Sequence, residues 1–150
     1  MKIKEIMTKE VNGISPEMNA KEALKLLQKM KISGLPVIND KNKLEGMFTE
    51  KEILAEILPG YIKTVGKFVY QDNPKAIQQK INSFCALSVK DVMRKNVVTV
   101  NDDTILYEAA HIMFTQNLRR VVVLNNNQEV TGIVSRGDVL KALFGEYTQL

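Results

Sequence analysis

The chain has 150 residues, of which 45% are hydrophobic and 25% are charged, and its formal net charge is +4. This composition is typical of a globular protein that forms one ordinary domain or two small repeats. It excludes a bilayer-spanning segment, because no apolar run approaches the roughly 20 residues required. The first residues show no secretory signal, and a single cysteine, Cys85, excludes an internal disulfide framework. We therefore expect a cytoplasmic protein with no membrane segment.

The excess positive charge lies in the middle of the chain. Residues 1–57 hold ten Lys and Arg against nine Asp and Glu, and residues 90–150 hold seven against seven. Residues 58–89 hold four lysines against Asp72 alone. A nucleic-acid groove usually combines a dense basic stripe with interleaved aromatic side chains, and the sequence has no such stripe. The charge pattern therefore predicts a solvated connector and disfavours nucleic-acid binding.

The chain contains an internal repeat with a period of 86 residues. Residues 4–57 align without a gap on residues 90–143, and ten of the 54 pairs are identical. Chance identity of roughly 6% would give about three. The identical pairs include Met7/Met93, Val37/Val123, Gly46/Gly132 and Leu54/Leu140. Two copies of one structural unit are therefore predicted.

Each copy predicts the element order β-α-β-β-α from its apolar periodicity. In the first copy we expect a strand at Val11–Ser15, an amphipathic helix at Ala20–Met30, strands at Leu35–Ile38 and Leu44–Phe48, and a helix at Glu50–Leu58. In the second copy we expect a strand at Val97–Asn101, a helix over Leu106–Met113, strands at Val121–Leu124 and Val130–Val134, and a helix at Arg136–Phe144. Pro59-Gly60 and Gly145 are predicted to end the two last helices.

The stretch Gly132-Ile133-Val134-Ser135-Arg136-Gly137-Asp138 joins the last strand of the second copy to its last helix. The Ser135 hydroxyl has two possible roles: it can cap the helix, or it can lie beside an anion attracted to the helix N-terminus. The Asp138 carboxylate suits a diol such as a ribose. Thr49 and Glu52 are the equivalent residues of the first copy.

Both junctions also have a purely structural interpretation. Thr49-Glu50-Lys51-Glu52 matches a complete capping box, which explains the first copy without a ligand. Ser135 to Asp138 matches less well, because aspartate is short for the reach back to the N-cap. Gly137 inside a helix also costs about 1 kcal/mol relative to alanine, which a closely approaching ligand would explain. The sequence therefore favours a cap at Thr49 and a ligand at Ser135.

The repeated β-α-β-β-α order, with its Gly-apolar-apolar-Ser/Thr-x-x-acid ending, resembles the CBS domain, named after cystathionine β-synthase. The chain looks like a free-standing pair of these domains (a Bateman module). The implied divisions are repeat 1 at 1–58, a partly ordered connector with a short helix at 59–89, repeat 2 at 90–145 and a tail at 146–150. The resemblance implies an α/β (α+β) fold in which the repeats, related by a pseudo-two-fold axis, pack sheet to sheet as one module.

The resemblance also implies a function. Such modules resemble regulatory sensors that bind AMP, ADP, ATP or S-adenosylmethionine as effectors, require no cofactor, and pair as homodimers that can act on a regulated protein. The alternative is a dimerisation or protein-interaction module with vestigial clefts and no nucleotide response. An enzyme is disfavoured because the sequence has no P-loop, catalytic triad or metal cluster. His111 has no second metal ligand at a suitable spacing, and Cys85 is predicted to be structural.

By family analogy the chain has two unequal clefts. The main cleft would be formed by Thr8, Val11, Asn12, Gly13, Arg119, Arg120, Val134, Ser135, Arg136 and Asp138. Two guanidinium groups suit a phosphate, and Gly13 permits a close approach of the base. The second, weaker cleft would be formed by Met93, Val97, Val98, Thr99, Ser33, Gly34, Thr49 and Glu52. It lacks a cation for a phosphate, because Ser33 and Gly34 replace the arginines, so we expect one occupied site per chain.

The connector is too long to be wholly unstructured. Asn73-Pro74 predicts a helix start, and Ile77, Ile81 and Phe84 fall on one helical face. A second apolar group comprises Tyr61, Ile62, Val65, Phe68, Val69 and Tyr70. We expect these side chains to pack on their own module; the alternative is a surface for a second subunit or a regulated protein.

Overall fold

The computed structural model describes residues 1–58, 62–64, 67–69 and 74–148. After a 3₁₀ turn at Ile3–Glu5, the first half contains α1 (Ala20–Met30), β1 (Gly34–Ile38), β2 (Leu44–Thr49) and α2 (Glu50–Ile57). The connector contains β3 (Ile62–Thr64), β4 (Lys67–Val69) and α3 (Pro74–Phe84). The second half contains α4 (Val89–Val92), β5 (Thr99–Asn101), α5 (Leu106–Thr115), β6 (Arg120–Leu124), β7 (Val130–Ser135) and α6 (Arg136–Thr148). This order confirms the predicted mixed α/β class with two repeats.

Several predicted element bounds are wrong. Strand β5 begins at Thr99, two residues after the predicted start at Val97. Val11–Ser15 does not form a strand, and within it only Ile14 forms an isolated bridge, to Val37. Asn12 and Gly13 have low strand propensity, and they interrupt the extended segment. Gly145 does not end α6, which continues to Thr148. Gly145 does not adopt the left-handed backbone conformation through which a glycine ends a helix.

The chain divides into two compact units whose limits differ from those of the sequence repeats. Unit 1 contains residues 1–12, 38–44 and 96–150, and unit 2 contains residues 13–37 and 45–95. The three-stranded sheet has the order β5-β6-β7, with β5 parallel and β7 antiparallel to β6. β1 and β2 form a two-stranded sheet, and β3 and β4 form an antiparallel pair.

The first residues of the chain belong to the fold of the second repeat. In unit 1, Ile3 is fully buried in the apolar core, and Thr8 exchanges two backbone hydrogen bonds of 2.9 Å with Ile133 of β7. In unit 2, Val89 is fully buried, and Arg94 exchanges the same pair of bonds with Met47. Both units thus use one arrangement, related by the 86-residue period.

Each unit has its own apolar core. The core of unit 1 contains Ile3, Val100, Leu106, Ala109, Met113, Val121, Val123, Val134 and Val139. The core of unit 2 contains Ile14, Ala20, Ala23, Leu27, Leu35, Val37, Phe48, Ile53, Phe84, Val89 and Val92. Apart from Ile3, Val89 and Val92, which lie in the 3₁₀ turn and in α4, the core is formed largely by the apolar faces of helices and strands, because burial of those faces is the main driving force for folding.

Equivalent ion pairs join the start of each repeat to its unit. Lys4 Nζ lies 2.9 Å from Asp103 Oδ1, and Lys90 Nζ lies 2.9 Å from Glu17 Oε2. The hydrogen bond to Lys4 lowers the pKa of the Asp103 carboxyl, and the same bond raises the pKa of Lys4. All four side chains are exposed, so these pairs contribute little to stability.

The described part of the connector packs on unit 2. Helix α3 contacts α2, and its Phe84 is only 4% exposed within the core of unit 2. This helix lies where the Ile77, Ile81 and Phe84 pattern places one. Pro59, Gly60, Tyr61, Val65, Tyr70 and Asn73, and the side chains of Ile62, Phe68 and Val69, lie outside the description. None of the described helices is both long and apolar enough to cross a membrane.

Replacing Lys31 with glycine is expected to stabilise unit 2. Lys31 ends α1 in the left-handed conformation, with φ 56°, a position that glycine occupies without a Cβ penalty. Since the backbone N–H of Lys31 still closes the helix, Lys31→Gly should raise the free energy of unfolding by about 0.5–1 kcal/mol. Urea denaturation measures this change. The same substitution at exposed Lys29 inside α1 is the control and should destabilise the helix.

Candidate functional site

The β7–α6 junction of unit 1 forms a closed capping box. The Ser135 N–H donates to Asp138 Oδ2 at 2.9 Å, and the Asp138 N–H donates to Ser135 Oγ at 3.1 Å. The expectation that aspartate is too short for this box is wrong. Ser135 precedes the helix, and its N–H lies within reach of the first-turn carboxylate; Asp91 reaches the N–H of Ser88 in the same way at 2.9 Å.

Capping leaves several polar groups of this junction available. Asp138 Oδ1 makes no hydrogen bond or ion pair with any residue that the structure describes. The Ser135 hydroxyl accepts one bond and retains its own proton for donation. Arg120 lies opposite Ser135 in the β6–β7 register, and Arg119 precedes it. Both arginines are exposed and make no ion pair within the described ranges.

Thr8 is held next to this junction by a close backbone approach. A Cβ at Gly132 would lie 2.6 Å from Met7 Sδ and 2.8 Å from the Thr8 carbonyl oxygen. Only glycine permits this spacing, because the Thr8 carbonyl is fixed by its hydrogen bond from the Ile133 N–H. Thr8, Arg120, Ser135 and Asp138 are therefore carried by three connected segments of unit 1.

Arg136 has a structural partner that the sequence does not reveal. Its Nε donates to the Leu118 carbonyl oxygen at 2.7 Å, and its Nη2 donates to Asn117 Oδ1 at 3.0 Å. These bonds fix the turn that leads into Arg119. The sequence predicts Arg136 as a ligand contact, and the structure shows that two of its donors hold this turn; its contact with a ligand stays a prediction.

The remaining residues assigned to the main cleft differ in their exposure. The Val134 side chain is fully buried among the core residues of unit 1 and is not accessible to a ligand. Val11 is half-buried and Asn12 is exposed, and neither lies in a helix or strand. Gly13 belongs to unit 2.

The equivalent junction of unit 2 has a different hydrogen-bond pattern. The predicted capping box at Thr49 is wrong, because the Thr49 side chain makes no bond to the helix backbone. Its hydroxyl instead donates to Glu52 Oε2. The longer glutamate side chain carries its carboxylate past the backbone to the hydroxyl. The motif with the better sequence match is thus uncapped, and the motif with the poorer match is capped.

Arg94 is a residue of this junction that sequence reasoning missed. Its Nη1 lies 3.6 Å from Glu52 Oε1, whose side chain is 14% exposed. Arg94 therefore brings a cation to the second site, but this cation pairs with Glu52, and the expectation that the site lacks a cation for a phosphate stays a prediction. The 86-residue repeat could have identified Arg94, because the repeat aligns Arg94 with Thr8, a residue predicted for the main cleft.

The other residues of the second site divide between the units. A Cβ at Gly34 would lie 2.7 Å from Thr49 Cγ2, so the Thr49 methyl group fills the space above this glycine. Ser33 is exposed, and Met93 is half-buried against the core of unit 2. Val97, Val98 and Thr99 belong to unit 1. Among the residues with described side chains, no three His, Cys, Asp or Glu groups are placed to hold a metal ion.

Curated relatives match almost the whole chain. MJ1232 of Methanocaldococcus jannaschii is 32% identical over 149 residues, which is 99% of this chain and 42% of that protein. MJ1426 of the same organism is 29% identical over 160 residues, covering 95% of this chain and 91% of the relative. The inosine-5'-monophosphate dehydrogenase of that organism is 29% identical, and this chain spans 23% of its length. This chain therefore spans less than half of two of these relatives.

Solved structures have the same fold. CBSX2, a CBS-pair protein from Arabidopsis thaliana, has a crystal structure in complex with AMP; it is 26% identical, with a TM-score of 0.72 and 97% coverage of both chains. A conserved protein of Geobacillus kaustophilus has a TM-score of 0.77 at 24% identity, with 97% and 98% coverage. The CBS domain family matches residues 3–59 and 89–145. The chain therefore belongs to the CBS domain family and contains two copies of the domain.

Proposed function

We propose that this chain is a regulatory module that senses an adenosine-containing nucleotide through the β7–α6 junction of unit 1. The observation that carries the proposal is the Asp138 carboxylate, which has one oxygen in the cap and the other without a partner among the described residues. It lies at the N-terminus of a 13-residue helix, with Arg119 and Arg120 entering the adjacent strand. The AMP complex of the CBS-pair relative CBSX2 supports an adenosine-containing nucleotide as the class of ligand.

The residues have the chemistry that such a nucleotide requires. Guanidinium groups bind phosphate through charge-assisted, bidentate hydrogen bonds, which suits Arg119 and Arg120. The Ser135 hydroxyl and the positive end of the α6 dipole add donors for the same anion. Asp138 Oδ1 is an acceptor for a ribose hydroxyl. The proposal assigns binding and no catalytic step to these groups.

Regulation would follow from differential affinity. A ligand shifts a conformational equilibrium only by the difference between its affinities for the two states. A nucleotide held by Thr8, Arg120 and Asp138 would favour the state in which their three segments remain docked. We place this sensor in a cytoplasmic homodimer that passes the signal to a regulated protein.

Calorimetric titration with AMP, ADP, ATP and S-adenosylmethionine tests the proposal. We expect saturable binding of at least one of them. The double variant Arg119→Ala/Arg120→Ala should bind the phosphate-bearing ligands about tenfold more weakly, whereas its affinity for adenosine should change little. Protein that is first unfolded, dialysed and refolded excludes a co-purified ligand. No binding by any of the four ligands would reject the proposal.

A second candidate function is a protein-interaction module without a nucleotide response. The observation that favours it is the exposure of large apolar side chains on the helices of unit 1. Phe114 of α5 is 83% exposed, and Leu140 of α6 is 54% exposed. Sedimentation with and without AMP distinguishes the two functions, because this module would assemble equally in both conditions.

Replacing Gly137 with alanine should raise the stability of the protein and lower its affinity for AMP. A Cβ at Gly137 would lie 3.6 Å from Ser135 Oγ, an ordinary contact, so α6 gains helix propensity worth about 0.5–1 kcal/mol. If the nucleotide approaches this backbone, the same methyl group obstructs it. We expect a higher melting temperature together with weaker AMP binding. Lys51→Ala, at the equivalent position of α2, is the control and should leave AMP affinity unchanged.

A further inference from the structure

Glu52 of unit 2 is neutralised by residues of its own unit. Its Oε2 accepts a hydrogen bond from the Thr49 hydroxyl, and its Oε1 lies 3.6 Å from Arg94 Nη1. The Glu52 side chain is only 14% exposed, so water contributes little to the solvation of this carboxylate. Both oxygens are therefore engaged before any ligand arrives.

The equivalent position of unit 1 lacks this cation. Arg94 and Thr8 are related by the 86-residue period, and each forms the backbone bridge to the strand before its junction. The Thr8 side chain is short and uncharged, and Asp138 makes no ion pair with another described residue. The two junctions thus share a backbone arrangement and differ in whether an arginine reaches the carboxylate.

This difference decides what each carboxylate can bind. A ribose diol is neutral, so it cannot replace the charge compensation that Arg94 supplies. Displacing Arg94 would leave a mostly buried carboxylate without its cation, which is strongly unfavourable. The Thr49 methyl group also fills the space over Gly34, where unit 1 carries Arg120.

We propose that Arg94 closes the second nucleoside site of this chain, so that one nucleoside binds per chain, at Asp138. The proposal rests on the proposed function, and it makes Arg94 and Thr8 the residues that set the stoichiometry. Exchanging these two residues should therefore exchange the open and closed sites.

Equilibrium dialysis with radiolabelled adenosine tests whether Arg94 closes the second site; we call this effect the closure. Adenosine has no phosphate, so the lack of arginines at Ser33 and Gly34 does not affect the result. We expect one adenosine per chain for the wild type and two for Arg94→Thr. The affinity of the second site for adenosine should be at least about tenfold higher in Arg94→Thr than in the wild type. Arg94→Lys keeps the charge and should retain one. Thr8→Arg should bind none, because its guanidinium reaches Asp138. Thermal unfolding verifies that every variant is folded.

The outcomes separate this closure from the nucleotide-sensing function. One adenosine in both the wild type and Arg94→Thr would overturn the closure and leave the sensing function intact. Two in the wild type would also overturn the closure. No binding by the wild type but one adenosine in Arg94→Thr would support the closure, and the sensing function would then be decided by the calorimetric titration with the four ligands. No binding by either protein would overturn the closure, whereas only the absence of binding by all four ligands would reject the sensing function.

Discussion

Replacing Asp138 with asparagine will weaken AMP binding by about 10- to 100-fold, which corresponds to the loss of one or two charge-assisted hydrogen bonds. The carboxamide retains an oxygen that can accept the Ser135 N–H, so the cap and the helix should persist. The amide that replaces the second oxygen donates where the ribose hydroxyl also donates. Calorimetric titration measures the affinity, and circular dichroism checks the fold.

Glu52→Gln provides the matched control at the equivalent position of unit 2. Glu52 faces Arg94 and Thr49, so its neutralisation should change AMP affinity by less than about twofold while it lowers stability modestly. Equal losses of affinity in both variants would mean that the nucleotide does not distinguish the two junctions. An unchanged affinity in Asp138→Asn would place the ligand elsewhere.

Replacing Gly132 with alanine will destabilise the protein by about 1–3 kcal/mol, the usual cost of overpacking. The added Cβ would lie 2.8 Å from the Thr8 carbonyl oxygen, which is backbone and already bonded to Ile133. The flexible Met7 side chain can move, but the Thr8 segment must separate from β7. Because Thr8 belongs to the proposed site, AMP binding should weaken as well. Urea denaturation and calorimetry measure the two effects.

Gly46→Ala is the corresponding substitution in unit 2. Its Cβ would lie 2.6 Å from the Arg94 carbonyl oxygen, so a similar loss of stability is expected. AMP affinity should nevertheless remain near that of the wild type, because Arg94 lies at the junction that we infer to be closed. If both alanine variants lose AMP binding equally, the effect of Gly132→Ala is a general consequence of instability and not of Thr8 displacement.

The helices other than α4, the last two strands of each copy and the repeat could be predicted from the sequence because they depend on local patterns. The apolar periodicity of α1 and the β-branched run in β6 each indicate one element, and the 86-residue period relates the copies. Boundaries that depend on a single residue were less predictable. Gly145 does not adopt the left-handed conformation that would end α6, and Val11–Ser15 is not a strand because Asn12 and Gly13 interrupt it.

The chemistry of the two junctions was predictable only in part. Sequence determined the residue types, namely a hydroxyl and a carboxylate at each junction and two arginines before one of them. Tertiary structure decided which carboxylate is available, because Asp138 closes a cap and keeps one oxygen, whereas Glu52 reaches past the backbone to Thr49 and Arg94. Arg94 lies 42 residues from Glu52 in the chain, and a hydrogen bond or ion pair depends on distances of a few ångströms that only the folded chain sets.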